Sequence, residues 1–192
     1  VAVRYLTGDV MAMLATLPPG PYACILADPP WLYKTWSDKG GSRGAVAHYD
    51  CMEFSDLAAL PIPSLAARDC VLFLWAMDPL LLAALELIKA WGFEYKTVGF
   101  YWVKLGGRGF SVGMGKWTRA NPEQCLLATR GHPQRLHSDV QRLIVSPRRE
   151  YSRKPDEIHS RIERLVEGPY LELFARQSTP GWDCWGDQIG LF

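Results

Sequence analysis

Short apolar runs, each bounded by proline, glycine or a charged residue, alternate along this chain with longer amphipathic stretches. Tyr22-Ala23-Cys24-Ile25-Leu26-Ala27 lies between Pro21 and Pro29 and predicts a buried strand. Asp69 to Trp75 predicts a second, and the aromatic and β-branched content of Phe93 to Val103 a third, longer one. Val1 to Leu6, Glu123 to Thr129, Leu143 to Ser146 and Tyr170 to Ala175 are further strand candidates. Helices are predicted after Asp9, over Ser55 to Leu60 and Ser64 to Ala67 with serine at the cap, and over Pro79 to Trp91. Gly92 stands just past the end of that last helix. Another opens at Pro155-Asp156-Glu157, carries Ile158, Ile162 and Leu165 on one face, and stops at Gly168-Pro169. Strand, helix, strand in this order predicts an α/β domain with a mostly parallel sheet and right-handed crossovers.

The polar stretches between these elements carry the first chemistry. Asp28-Pro29-Pro30-Trp31 follows directly on the first buried strand, where ligands bind in open α/β sheets. Two prolines make a stiff turn whose carbonyls are expected to be free, since proline has fixed φ and no N–H. A carboxylate, a carbonyl and an aromatic face together suit a planar base bearing an amine. The tetrapeptide alone fits a plain strand exit equally well. Trp36 to His48 is a polar, glycine-rich loop behind it, closed by Tyr49. Leu105 to Trp117 is denser still in glycine but lacks the spacing of a phosphate loop or a dinucleotide fingerprint, and reads as a flexible lid. Pro180-Gly181-Trp182 reads as a turn.

Composition narrows the class. A chain of 192 residues with 48% apolar content suits one domain, 1–192. The net charge of +1 requires any nucleic-acid surface to be local. Seven Lys/Arg between Arg130 and Lys154, opposed by Asp139 and Glu150, supply one candidate. Five scattered cysteines without a C-x-x-C pair suit neither a disulfide framework nor a zinc site, and favour a cytoplasmic compartment. The start Val-Ala-Val-Arg shows no signal-peptide pattern, and the longest apolar stretch is cut by Asp78-Pro79, so no membrane span is expected. His48, His132, His137 and His159 lack ligand spacing and read as surface or core residues, with no metal required.

Taken in order, Arg4-Tyr5-Leu6, Asp28-Pro29-Pro30-Trp31, Leu72-Phe73-Leu74-Trp75, Trp102-Val103-Lys104, Lys154-Pro155-Asp156-Glu157-Ile158, Ile162-Glu163-Arg164-Leu165, Glu172-Leu173-Phe174-Ala175-Arg176 and Gly186-Asp187-Gln188 form a pattern. It resembles the MT-A70-like adenine-N6 methyltransferases, of bacterial or phage type. The resemblance implies a Rossmann-like, S-adenosylmethionine-dependent methyltransferase with helices on both sheet faces. It also implies a permuted order in which Asp28 to Trp31 precede the principal cofactor strand, Glu172 to Arg176. Asp28, Pro29, Pro30 and Trp31 are then the expected catalytic residues. Expected at the cofactor are Val3, Asp28, Lys154 (on the methionine carboxylate), Glu172, Leu173, Arg176, Thr179, Asp187 and Gln188. Expected at the substrate are Tyr49, Trp117, Arg119, Asn121, Glu123, Arg148, Arg149 and Arg153.

The implied reaction transfers a methyl group in line to the adenine N6 amine, with the base flipped out of its stack. Trp31 is expected to stack on that base or face the sulfonium. DNA is the favoured substrate, because the chain is compact, and RNA the alternative. A non-catalytic partner subunit and a methyltransferase for protein amides or free amines are weaker rivals. A homo- or heterodimer is compatible with the pattern.

Overall fold

The computed structural model describes residues 16–32, 51–113, 115, 117–149, 153–186 and 189. Its elements run β1 (Tyr22–Ala27), α1 (Phe54–Ala59), α2 (Ile62–Leu65), β2 (Ala66–Ala76), a 3₁₀ turn, and α3 (Leu81–Ala90). They continue with β3 (Glu94–Gly106), β4 (Gly109–Phe110), β5 (Glu123–Arg130), β6 (Leu143–Pro147), α4 (Glu157–Leu165), β7 (Tyr170–Leu173) and β8 (Trp182–Trp185). The strands form one sheet in the order β4-β3-β5-β2-β1-β7-β8, with β6 also paired to β3.

Side chains alternate across a strand, so each strand feeds two cores. Ile25 and Ala27 of β1 join Leu72, Leu74, Leu126, Leu171 and Leu173 on the face covered by α1, α2 and α3. Cys24 and Leu26 join Val71, Phe73, Trp75, Phe100, Trp102 and Cys125 on the face covered by α4. Each helix meets the sheet with one stripe: Ala84, Leu87 and Ile88 from α3, Ile158 and Ile162 from α4. Trp91, fully buried, ties α3 to α1 by donating from Nε1 to the Leu57 carbonyl at 2.8 Å. The expected helices on both faces are therefore present.

Several local expectations change. β1 pairs in parallel with β2 and β7, β7 with β8, and β3 with β6. β5, however, lies between β2 and β3 and runs antiparallel to both, so the α3 crossover does not lay β3 beside β2. Neither short helix is capped by serine: Glu53 and Pro61 hold the cap positions without a side-chain bond, and Ser64 Oγ donates to the Pro61 carbonyl at 2.7 Å. Strand replaces the expected helix at Ala66 and Ala67, because β2 already starts at Ala66.

The glycine-rich stretch expected as a lid begins as a hairpin. β3 turns at Gly107 and Arg108 into β4, with Gly109 at φ 108°, a conformation that glycine adopts without a Cβ penalty. The strand expected over Tyr170 to Ala175 is shorter, since Phe174 takes φ 61° and β7 ends at Leu173. Trp182, read as part of a turn, instead starts β8, parallel to β7. Among the described residues no helix is long and apolar enough to cross a membrane.

Candidate active site

The same alternation that builds the cores also builds the site. Past Ala27, Asp28 falls in step with Cys24 and Leu26, on the α4 side of the sheet. Trp75 of β2, Glu172 of β7, Glu123 of β5 and Lys104 of β3 are in step with the core residues of that same face. A cleft opens there, at the carboxyl ends of β1 and β7. It is lined by Leu26, Asp28, Trp75, Arg153, Lys154, Pro155, Asp156, Ile158, His159, Glu172, Phe174, Arg176 and Gln177.

Opposite charges alternate along one wall. Lys154 Nζ donates to both oxygens of Asp28, at 2.9 and 2.8 Å, and lies 3.4 Å from Glu123 Oε2. Lys104 Nζ bonds the other oxygen of Glu123 and sits 4.9 Å above the Trp102 ring. Lys154 Nζ also lies 5.4 Å from the centre of the Trp75 ring. Burial works against the Lys154 charge, but Asp28 and Glu123 outweigh it and raise its pKa. Burial by itself would raise the Glu123 carboxyl, yet Lys154 and Lys104 bring it below its usual range.

Glu123 therefore stabilises the fold above about pH 4.3, its ordinary value, and that support is lost as pH falls through the depressed one. Glu123→Gln is expected to cost about 2–3 kcal/mol at neutral pH, a buried-pair value reduced for partial exposure. The deficit relative to the native protein should shrink in urea unfolding as pH falls through the depressed carboxyl pKa. A deficit independent of pH would contradict the ion-pair assignment.

At the turn itself two expectations fail. The Pro29 carbonyl is not free: it accepts from Trp31 N–H at 2.8 Å, and the Pro30 carbonyl accepts from Met52 N–H at 2.8 Å. Each keeps one lone pair for a further donor. Trp31 does not offer a ring face to the cleft. It is 6% exposed, belongs to the core on the other side of the sheet, and donates from Nε1 to the Trp75 carbonyl at 3.3 Å. The Pro29-Pro30 turn past the end of β1 carries Trp31 to that other face, where it bridges Met52. Trp75 and Phe174 are the aromatic side chains that line the cleft, with the His159 imidazole.

The other expected residues divide. Asp28, Lys154, Glu172, Arg153 and Arg176 come together at the cleft. Lys154, expected on a ligand carboxylate, bridges Asp28 and Glu123 here. Leu173 is buried, and its carbonyl faces the Asp28 N–H at 3.5 Å. Among the described residues, the buried Thr179 Oγ1 has no hydrogen-bond partner. Asn121 braces the hairpin instead of lining the cleft, bonding the Lys104 backbone at 3.2 and 2.9 Å and the Ser111 carbonyl. Trp117 and Arg119 are exposed away from the cleft lining, as is Arg148. Val3, Tyr49, Asp187, Gln188 and the loop 36–48 lie outside the described residues.

The basic stretch is also less open than its composition suggests. Arg130 donates to the Pro63 carbonyl and Arg142 to Thr97, while Arg149 and Arg153 both pair with Asp156 at the cleft rim. Sequence reasoning missed Lys104, Trp75, Gln177 and His159. For Lys104 and Trp75 the alternation within their strands was the available signal. Of the surface and core readings for His159 the structure bears out the core one: the ring is buried, bonded to Glu172 Oε2 through Nε2 at 2.8 Å and to the Asp156 carbonyl through Nδ1 at 3.1 Å.

Comparison with known proteins meets this geometry from another direction. The MT-A70 family model matches residues 22–188. The type II methyltransferase M.MunI of Mycoplasma sp is 32% identical over 191 residues, covering 90% of this chain and 80% of that protein. The mouse N(6)-adenine-specific methyltransferase METTL4 is 32% identical over 98% of this chain, which spans 42% of it. The catalytic subunit METTL3 of human N(6)-adenosine-methyltransferase is 29% identical over 97% of this chain, which spans 30% of it.

Proposed function

Since the chain belongs to the MT-A70 family, we propose that it is an S-adenosylmethionine-dependent methyltransferase acting on the N6 amine of adenine in DNA. The observation that carries this reading is the Asp28 carboxylate, held by Lys154 at the carboxyl end of β1 beside the cleft. Amino acid and nucleoside groups suit the donors present. Lys154 and Arg176 are cations for a carboxylate, and Asp28 and Glu172 are acceptors for an ammonium or hydroxyls. Outside the cleft lining, Thr179 Oγ1 is a buried group without a hydrogen-bond partner among the described residues. Glu172, Leu173, Arg176, Thr179 and Lys154 would hold the cofactor, and the family resemblance implies Val3, Asp187 and Gln188 as further contacts. When bound, S-adenosylmethionine supplies an electrophilic methyl on a positively charged sulfur.

The chain's own part is to make a poor nucleophile attack. The lone pair of the adenine amine is delocalised into the ring. Asp28, accepting an N–H of that amine, favours a pyramidal nitrogen and stabilises the positive charge that develops on it. The Pro29 carbonyl can take the second N–H with its remaining lone pair. Glu123 and Lys154 lie next to this position, and Trp75 gives the cleft an aromatic wall. A base within a duplex is out of reach of Asp28, so it must be flipped or presented on a single strand.

DNA is favoured by the likeness to the type II methyltransferase M.MunI, 32% identical over 90% of this chain, against 29% for the METTL3 subunit. Incubation of DNA and RNA oligonucleotides of one sequence with labelled S-adenosylmethionine tests the choice, and stronger labelling of RNA would overturn it. Arg148 is the exposed member of the Arg148-Arg149 pair and the better probe of phosphate contact. Arg148→Glu should weaken strand binding across sequences and lower its salt dependence, leaving cofactor binding intact. A partner subunit and a cytoplasmic location fit the same reading.

A further inference from the structure

His159 is an unusual side chain for the inner face of a helix. It is 8% exposed between Ile158 and Ile162, where an apolar residue would pack without a desolvation cost. Two hydrogen bonds offset that cost, one to the Asp156 carbonyl and one to Glu172 Oε2, and the ring stands edge-on to Trp182 at 5.0 Å. Burial disfavours the imidazolium, but Glu172 outweighs it and raises the His159 pKa. The groups that face this pair are Glu172 on β7, Asp156 ahead of α4, and Cys184 on β8, whose thiol is pushed up chiefly by burial and so stays protonated. Lys154, Arg176 and Asp28 share the same cleft.

Glu172 is the group that a purely structural histidine leaves unexplained. It sits on the strand next to Asp28, at the wall of the cleft. One carboxylate oxygen is taken by His159, and among the described residues the other has no partner. An ionised carboxylate only accepts, so a ligand on that oxygen must be a donor. We propose that His159 is a positioning residue that fixes Glu172, so that its second oxygen accepts a hydrogen bond from a hydroxyl or ammonium of the nucleoside ligand. This role rests on the reading of the cleft as the S-adenosylmethionine site.

Calorimetry on the full chain tests it, with S-adenosylhomocysteine and 5′-methylthioadenosine as probes, between about pH 6 and 8.5. Native affinity should fall as pH rises through the imidazolium's raised pKa. His159→Leu should bind S-adenosylhomocysteine about tenfold more weakly at the acidic end and lose that pH dependence. His159→Gln keeps a neutral donor, and should bind with intermediate affinity and a flat profile. Its circular dichroism melt guards against a merely unfolded leucine variant. An equal loss for methylthioadenosine assigns the donor as a hydroxyl, and a loss confined to S-adenosylhomocysteine assigns it as the ammonium. Native binding with unchanged affinity and pH profile in the glutamine variant overturns the role of His159 alone. If the native chain binds neither probe, the cofactor site itself is overturned as well.

Discussion

Asp28→Asn is expected to lower methyl transfer about a thousandfold, the upper range for removing one preorganised charge from a transition state. The substitution keeps the shape of the side chain and removes the acceptor that balances positive charge on the amine. It also turns one of the two oxygens facing Lys154 into a donor. Lys154 then retains Glu123, so the fold should survive, at a cost below the ~3–5 kcal/mol of an ion left without any partner. S-adenosylhomocysteine affinity should change by no more than about tenfold, one charge-assisted hydrogen bond. Single-turnover labelling with S-adenosylmethionine separates chemistry from binding. A variant within about tenfold of native would show that Asp28 serves structure and not the transferred methyl's acceptor.

The largest stability effect should come from Trp31→Ala, about 3–5 kcal/mol for deleting a buried aromatic. Trp31 braces the turn from beneath, through its bond to the Trp75 carbonyl and its bridge to Met52. Trp31→Phe keeps much of the volume and loses the indole donor, so about 1 kcal/mol is expected. Urea unfolding of both variants measures these differences. If Trp31→Phe lost strand affinity with no change in stability, the ring would be a stacking platform after all and its burial here would mislead.

Much of this arrangement is legible in the residues. The strand ending at Asp28 stands out because prolines bound it on both sides, and the site sits where an α/β sheet leaves it. Lys154 meets Asp28 across 126 positions, a pairing that no local pattern contains and that the ordered motifs, which put Lys154 on a ligand carboxylate, did not suggest either. The direction of β5 is set by how the chain returns past the hairpin, so its own apolar run could not reveal it. β8 escaped because four residues, two of them Asp183 and Cys184, show little alternation, and Pro180-Gly181 masked its start. Trp31 misled for a physical reason: an aromatic after a rigid turn suits stacking and core packing alike, and the turn with its bridge to Met52 put the ring in the core. Basic residues likewise looked free until Asp156 appeared between Arg149 and Arg153.

A crystal structure of the chain with S-adenosylhomocysteine tests the central claim most directly. The account predicts the ligand in the cleft between β1 and β7, its sulfur beside the Asp28 carboxylate and its amino acid end near Lys154. Density on the α1–α3 side of the sheet, or a sulfur far from Asp28, would contradict it.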